Sequence, residues 1–381
     1  MKKFLILLPF VFSFLSCNQQ KKIPEQQEAC FFVPPDASLD SIRNSLKLKK
    51  QYLDNYFKSL HKSGAFKGNV LIAEKGKIIY IGAFGNAHNQ TKDKLSLETS
   101  FQLASVSKII TAVAVLQLYE KQKISLDEKV TTYISEFPYE DITVRHLLSH
   151  RSGLPRYEAF NREQWDWTIP MSNDDMIKLY ARYKPRLFFK PGKKYDYSNA
   201  NYGILAAIVA RVSEKKFHEY VKENIFEPSG MKQAFVLDIF NYEKIEGIAY
   251  GHARGYRYPL EPQQDYLNGV VGDKGIYASV LDLYKFDVAM TKGKILKPKT
   301  QQLAFERTIK KRNLKYDDYG LGHRLKDWRM NGEFIPYHSG WWRGFKTLFI
   351  RDIYNDKTII LLSNDEISLQ AQLIWNLLEM I

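Results

Sequence analysis

The hydrophobic pattern of the chain begins with a helix and a hairpin. Over 38–62 apolar residues recur at spacings of three and four, and Gly64 follows the run, which predicts an amphipathic helix. Segments 69–73 and 77–81 are rich in β-branched residues and flank a Lys-Gly pair. This arrangement is typical of two antiparallel strands joined by a tight turn.

The same strand character returns near the other end of the chain. Segments 345–351 and 358–362 read as two strands, and 367–380 has the periodicity of an amphipathic helix. Strands at both ends, with helices beside them, indicate one antiparallel sheet assembled from the two termini, an α+β fold. Between them, roughly 123–330 is mostly helical in pattern and punctuated by prolines. No flexible linker bounds this segment, so we interpret it as a helical lobe inserted into the α+β lobe.

The stretch from Ser105 to Tyr119 differs from the other predicted helices because it is apolar on every side. Past its first turn almost nothing is polar until Gln117, which predicts a helix buried in the core. Its first turn nevertheless carries the hydroxyl of Ser105 and the amine of Lys108, which share one helix face at this spacing. A lysine in such a place is unfavourable unless another group pairs with it or uses it.

The Ser-x-x-Lys pattern alone is weak evidence for a catalytic pair. It occurs four times, and the other three copies lie in polar, lysine-rich surroundings: Ser59/Lys62, Ser213/Lys216 and Ser229/Lys232. On a structural interpretation Ser105 caps the helix and Lys108 extends to solvent. On a catalytic interpretation the amine activates the hydroxyl.

Two further motifs follow in order. Tyr197-Ser198-Asn199 precedes an apolar helical run, and His338-Ser339-Gly340 precedes a tryptophan-rich run that enters a strand. Together with Ser105-x-x-Lys108, on this architecture, they resemble the serine β-lactamase and penicillin-binding-protein superfamily. The branch of class C β-lactamases, D,D-peptidases and related esterases is the most similar one. The superfamily's Ser-Asp-Asn and Lys-Thr-Gly motifs are here Tyr-Ser-Asn and His-Ser-Gly.

The resemblance covers roughly residues 40–381, with 146–155 and 272–277 as supporting segments. It implies a β-lactamase/transpeptidase-like fold with the active site in a cleft between the two lobes. A serine hydroxyl is a poor nucleophile until a base removes its proton. Lys108 and Tyr197 are the candidate bases, and both ordinarily titrate near 10, so deprotonating either at neutral pH requires about 4 kcal/mol. Burial favours the neutral lysine and adjacent positive charge favours the phenolate, so both candidates stay open.

The resemblance also assigns roles to the residues around the base. The backbone N–H groups of Ser105 and Trp341 would form an oxyanion hole for the developing negative charge. Asn199 would orient Lys108 and a substrate amide. These assignments place Ser105, Lys108 and Tyr197 as catalytic residues.

The third motif and its neighbour would contact the substrate. His338 would line the cleft and hold a substrate carboxylate or Tyr197, with Ser339 and Gly340 beside it. Many β-lactamases carry a lysine where this chain has His338, whose charge near neutral pH is variable. That departure argues against efficient β-lactam hydrolysis and in favour of peptidase or esterase chemistry. Arg343 is a candidate for the missing positive charge.

Residues 1–17 have the features of an export signal. A positive start precedes an apolar core too short to span a bilayer, and the segment resembles a lipoprotein signal with Cys17 as the acylated residue. With ordinary cleavage nearby instead, a Cys17–Cys30 disulfide becomes possible in an oxidising compartment. Residues 18–37 are polar and proline-bearing and predict a flexible tether, which leaves 38–381 as the hydrolase domain. We expect an exported lipoprotein anchored to a bacterial envelope membrane, facing the periplasm or the exterior.

Composition narrows the remaining possibilities. The formal charge is 56 − 42 = +14 over 381 residues, but the basic residues are scattered and no nucleic-acid motif is present, so no nucleic-acid partner is expected. His146 and His150 stand four apart without a glutamate base between them, and we interpret them as structural rather than metal ligands. No metal or organic cofactor is predicted.

The sequence therefore predicts a serine hydrolase that forms an acyl-enzyme on Ser105. Its substrate would be an amide or ester: a D-amino-acid peptide, a β-lactam or a small ester. The alternative is a catalytically silent binding or scaffold protein of the cell envelope that retains the penicillin-binding fold.

Overall fold

A computed structural model describes most of the chain from residue 39 onward. The described residues are 39–240, 245–253, 255, 258–259, 261–262, 265–308, 317–328, 333–366, 375 and 378. The predicted signal 1–17, the tether 18–37 and Cys17 and Cys30 lie outside this part, as does most of the predicted helix 367–380. Among the helices of the described residues, none is both long enough and apolar enough to cross a lipid bilayer.

The elements of the described part alternate between strands and helices. The α-helices are α1 (Leu39–Lys62), α2 (Ser107–Glu120), α3 (Val130–Tyr133), α4 (Val144–Leu148), α5 (Asn173–Tyr183), α6 (Ala200–Ser213), α7 (Phe217–Val221), α8 (Glu227–Ser229), α9 (Val280–Thr291) and α10 (Pro298–Ala304). The strands are β1 (Gly68–Glu74), β2 (Lys77–Phe84), β3 (Phe101–Gln102), β4 (Phe235–Val236), β5 (Ile276–Ala278), β6 (Asp318–Tyr319), β7 (Arg324–Asp327), β8 (Phe334–Trp342), β9 (Phe345–Asp352) and β10 (Lys357–Ser363).

Seven of these strands form one antiparallel sheet in the order β2-β1-β10-β9-β8-β7-β6. Strands β1 and β10 are neighbours, with Leu71 opposite Ile360, so the two ends of the chain pair directly. The predicted α+β fold with a sheet built from both termini is confirmed. A smaller sheet has the order β3-β5-β4.

The two faces of the large sheet are covered by different helices because side chains alternate along each strand. Val70 and Ile72 point to one face, where they share a core with Leu53 and Phe57 of α1. Leu71, from the same strand, belongs to the larger core on the other face, which also contains α2, α6 and α9. Helix α2, which carries Lys108, is thus buried between the sheet and the helical lobe.

The helical lobe is smaller than the sequence predicted. Helix α9 packs against β1 and β10, and β6 and β7 are strands of the large sheet, although all three lie within 123–330. These two strands contain only two and four residues, too few for a hydrophobic period to reveal them. The predicted C-terminal end of the helical lobe, near residue 330, therefore lies too far along the chain.

Candidate active site

Ser105 lies in a strained turn rather than in the helix itself. A 3₁₀ turn over Ala104–Val106 leads into α2, which begins at Ser107, two residues later than predicted. Ala104 has a φ of +48°, a left-handed conformation unusual for a residue with a side chain. The Ser105 side chain makes no capping hydrogen bond at either helix start. The structural interpretation of Ser105 as a helix cap is therefore wrong.

Lys108 occupies the first turn of α2 and has no exposed surface. Its Nζ donates hydrogen bonds to Ser105 Oγ at 3.1 Å, to Asn199 Oδ1 at 2.8 Å and to the Asp273 carbonyl at 2.7 Å. These three acceptors match the three N–H bonds of an ammonium group. In the neutral form one position is a lone pair, which the Ser105 hydroxyl can use as its acceptor. The interpretation that Lys108 extends to solvent is wrong.

The two candidate bases are shifted in opposite directions. Burial lowers the pKa of Lys108 to about 8, although the nearby Asp273 and Glu158 carboxylates oppose the shift. Burial raises the pKa of Tyr197 above its usual value, and the positive charge of Arg324 offsets only part of that effect. The Tyr197 hydroxyl is buried and close enough to the Ser105 hydroxyl for that contact to oppose the rise in the Tyr197 pKa, although it makes no hydrogen bond of normal geometry in the described part of the chain. Lys108 thus loses its proton more readily than Tyr197 does.

Tyr197 and Asn199 frame the amine from the start of α6. The Lys108 Nζ lies 5.1 Å from the centre of the Tyr197 ring. The ring of His150 packs against Tyr197 with 4.2 Å between ring centres. The Asn199 amide accepts from Lys108 and donates through Nδ2 to Glu158 Oε1 at 2.6 Å. Because each end of the amide has its own partner, its orientation is fixed.

Gly340 of the His338-Ser339-Gly340 motif lies directly against the backbone of Ser105. A β-carbon on Gly340 would lie 2.5 Å from the Leu103 carbonyl oxygen and 3.0 Å from the Ser105 nitrogen, so no larger residue fits there. Ser339 and Trp341 are exposed, in alternation with buried neighbours along β8. Ser339, Gly340 and Trp341 line the same cavity as Ser105, with a volume of about 650 Å³.

His338 is placed differently from its predicted role. Its side chain is completely buried and does not line the cavity of Ser105. Nε2 bonds with the Tyr319 hydroxyl at 3.0 Å and Nδ1 with the Ser339 carbonyl at 2.9 Å, so both ring nitrogens are engaged within the protein. Burial and the charges of Arg324 and Lys108 hold its pKa well below the usual value. A neutral, enclosed imidazole cannot hold a substrate carboxylate, so that part of the prediction is wrong. The alternative partner, Tyr197, is a neighbour, with 6.2 Å between the two ring centres.

Arg343 is also displaced from its predicted role. It lies in the turn between β8 and β9 with a φ of +42°, and its Nε donates to Asp265 Oδ2 at 2.6 Å. It lines an adjacent cavity rather than that of Ser105. The positive charges that line the Ser105 cavity are Arg156, Arg324 and Lys346.

Sequence reasoning missed Arg324 and Glu158. The Arg324 guanidinium lies 5.0 Å from the centre of the Tyr197 ring, and its Nε is buried without a hydrogen-bond partner among the described residues. Glu158 lies in the 3₁₀ turn Tyr157–Ala159 and lines the same cavity. Neither residue belongs to a motif, and no periodicity signals it.

The two histidines considered as metal ligands have other contacts. His146 accepts from the Thr143 backbone N–H at 3.3 Å and completes the cap of α4. His150 accepts from the Ser198 backbone N–H at 3.2 Å and packs against Tyr197. Within the described residues, no group of three or more His, Cys, Asp or Glu side chains is arranged to hold a metal ion.

Comparison with known proteins shows the family to which the chain belongs. Residues 53–378 match the beta-lactamase family model. The chain is 34% identical to Penicillin-binding protein 4* of Bacillus subtilis (strain 168), over 84% of this chain and 72% of that protein. It is 26% identical to the teichoic acid D-alanine hydrolase of Staphylococcus aureus (strain NCTC 8325 / PS 47), over 92% of this chain and 81% of that protein.

A solved structure shows the same fold. The penicillin-binding protein from Bacillus halodurans superposes with a TM-score of 0.73 at 22% identity, over 84% of this chain and 98% of that one. Fold and motifs together define a member of the serine β-lactamase and penicillin-binding-protein superfamily. The chain belongs to the beta-lactamase family, and its relatives identify it as a hydrolase.

Proposed function

We propose that the protein is a serine hydrolase that forms an acyl-enzyme on Ser105, with Lys108 as the general base. One observation carries this proposal. The Lys108 amine is fully buried, has a pKa lowered to about 8, and lies 3.1 Å from the Ser105 hydroxyl. A base with a pKa near the working pH combines an available neutral form with enough basicity to take a proton.

Acylation uses the contacts of the amine directly. Neutral Lys108 takes the hydroxyl proton as Ser105 Oγ attacks the substrate carbonyl carbon. The resulting ammonium is held by Asn199 Oδ1 and the Asp273 carbonyl, and the N–H groups of Ser105 and Trp341 stabilise the oxyanion.

When the bond to the leaving group breaks, Tyr197 passes its hydroxyl proton to the leaving group and takes up the proton held by Lys108. Water then attacks the ester and Lys108 takes a proton from it. As the bond between the acyl carbon and Ser105 Oγ breaks, Lys108 returns this proton to Ser105 Oγ, and the acid product leaves.

Tyr197 acts as a proton donor in this scheme rather than as the base. Because its pKa is raised by burial, the phenol stays protonated at neutral pH. A protonated hydroxyl beside Ser105 is positioned to pass a proton to the departing group. Apart from its contact with the Ser105 hydroxyl, the Tyr197 hydroxyl has no partner among the described residues, which leaves it available to the leaving group of a substrate.

The charge of the cavity supports a substrate with an anionic group. Arg156, Arg324 and Lys346 line it, and the Arg324 Nε is buried without a hydrogen-bond partner among the described residues. A D-amino-acid peptide supplies a carboxylate, and an aminoacyl ester on an anionic polymer supplies a phosphate. The relatives are named as a penicillin-binding protein and as a teichoic acid D-alanine hydrolase, which supports both classes. The neutral His338 argues against efficient β-lactam turnover.

We further propose that the chain is exported and anchored through an acylated Cys17. The support is the sequence of residues 1–17. Metabolic labelling with a palmitate analogue tests it: the natural chain should carry the label in the membrane fraction, and Cys17→Ser should not. Labelling of Cys17→Ser at the natural level would contradict the anchor.

Hydrolysis of a substrate panel tests the catalytic proposal. We expect turnover of a chromogenic ester, a D-alanyl ester or a D-amino-acid peptide to be lost in Ser105→Ala. Ser213→Ala is the matched control, because Ser213 has the same Ser-x-x-Lys spacing but donates its hydroxyl to the Val209 carbonyl at the end of α6. Equal activity in Ser105→Ala and the natural chain would contradict the mechanism. No activity toward any class would favour the silent scaffold.

A further inference from the structure

One carboxylate beside the nucleophile has an oxygen without a partner. Glu158 Oε1 accepts a hydrogen bond from Asn199 Nδ2 at 2.6 Å, so the side chain is held in place. Glu158 Oε2 is buried and has no hydrogen-bond partner in the described part of the chain. A buried carboxylate oxygen without a donor is unfavourable. Its presence at the site predicts that a donor arrives from outside the protein.

Glu158 also lies where two cavities meet. It lines the cavity of Ser105 and a neighbouring cavity of about 750 Å³. Trp341 and Trp342 line both cavities as well. The neighbouring cavity is also lined by Trp167 and Tyr266, whose rings stack with 5.3 Å between centres. The space next to the nucleophile thus offers the Glu158 carboxylate and, in the neighbouring cavity, an aromatic pair.

We propose that Glu158 binds the free α-ammonium group of an aminoacyl substrate, so that the acyl donor is an unblocked amino-acid ester or amide. This proposal rests on the acyl-enzyme function proposed above and names its substrate class. The α-carbon next to the reacting carbonyl carries both an ammonium group and a side chain. With the carbonyl at Ser105, the ammonium pairs with Glu158 and the side chain points toward the neighbouring cavity.

The charges around Glu158 fit one ammonium and one anion. Arg156, Arg324 and Lys346 line the Ser105 cavity with it. In the neighbouring cavity, Asp265 is paired with Arg343, and the Arg162 guanidinium lies over the Trp167 ring. Glu158 is thus the acidic residue of the Ser105 cavity, and an anionic leaving group would lie toward the arginines. In the mirror-image substrate the ammonium group and the side chain on the α-carbon change places. The apolar side chain would then lie against the Glu158 carboxylate.

Binding measured without turnover tests the proposal. In a Ser105→Ala background, calorimetry compares D-alaninamide with N-acetyl-D-alaninamide. We expect Glu158→Gln to raise the Kd of D-alaninamide about 10- to 100-fold, the range of a charge-assisted hydrogen bond. It should leave the N-acetyl ligand within about twofold, because an acetylated nitrogen carries no charge. Glutamine keeps the acceptor for Asn199, so the amide stays in place.

Glu163→Gln is the matched control, because it removes an exposed carboxylate from the same segment that does not line either cavity. Equal losses for both ligands would show that Glu158 shapes the cavity without pairing with the ammonium group. No loss for either ligand would show that Glu158 has no role in binding. Each result overturns the proposal. With Ser105 intact, hydrolysis of D-alanine p-nitroanilide should fall by the same factor and its preference over the L-form should shrink. If the natural chain hydrolyses none of these substrates, the proposed function fails. The binding comparison would still show whether Glu158 pairs with the ammonium group.

Discussion

The pH dependence of acylation separates Lys108 from Tyr197 as the base. With a pKa of about 8 for Lys108, about 1% of the amine is neutral at pH 6 and half is neutral at pH 8. The acylation rate should therefore rise about 50-fold over this interval and level off above pH ~9. A phenolate base would behave differently, because burial raises the pKa of Tyr197 above its usual value. Its rate would still be rising past pH ~10.

Single-turnover acylation by a neutral ester without titrating groups measures this directly. The midpoint should stay near 8 in Tyr197→Phe, although the rate itself falls because the proton donor is lost. The reasoning is refuted by a rate that is flat between pH 6 and 8. It is refuted equally by a rate that rises without a plateau in the natural chain and becomes flat in Tyr197→Phe.

Three further predictions follow from the same contacts. Because the pKa of Lys108 is about 8 in the folded chain and 10.5 unperturbed, the folded state binds fewer protons in between. The difference in free energy of unfolding between the natural chain and Lys108→Met should therefore rise by about 2 kcal/mol from pH 8 to 10. The buried tyrosines, whose pKa values are raised, contribute alike to both chains; a constant difference in chemical denaturation would contradict the prediction. Arg324→Gln should lower kcat/KM about 10- to 100-fold for carboxylate-bearing substrates and little for a neutral ester. The control is Lys326→Gln, because Lys326 lies on the same strand but outside the cavity. Equal losses for both substrates would refute the role of Arg324 in binding an anion. Gly340→Ala would place a methyl group 2.2 Å from Thr347 Oγ1, so acylation should fall about 100-fold, and natural rates would contradict the packing.

The sequence was most informative where a pattern repeats or a motif has a fixed order. Helix α1 follows the apolar spacing of 38–62 to within one residue, and the pairing of β1 with β10 follows from strands at both termini. The buried helix after Ser105 was recognisable because it is apolar on every side. A lysine at its start pointed to a special environment before any contact was known.

The errors arose where a distant partner decides the position of a side chain. The alternation of side chains along β8 buries His338, and its Nε2 forms a hydrogen bond with the Tyr319 hydroxyl. Arg343 turns toward Asp265, which is 78 residues away in the sequence. Arg324 and Glu158 reach the cavity from elements without a motif. Such choices depend on tertiary contacts, which neither periodicity nor spacing encodes.

The position of acylation tests the central claim most directly. The protein is incubated with a fluorophosphonate or a labelled penicillin, its intact mass is measured, and the modified peptide is identified. We predict one adduct per chain, on Ser105, that is absent from Ser105→Ala and unchanged in Ser213→Ala. An adduct on another residue, or one that persists in Ser105→Ala, would contradict the account.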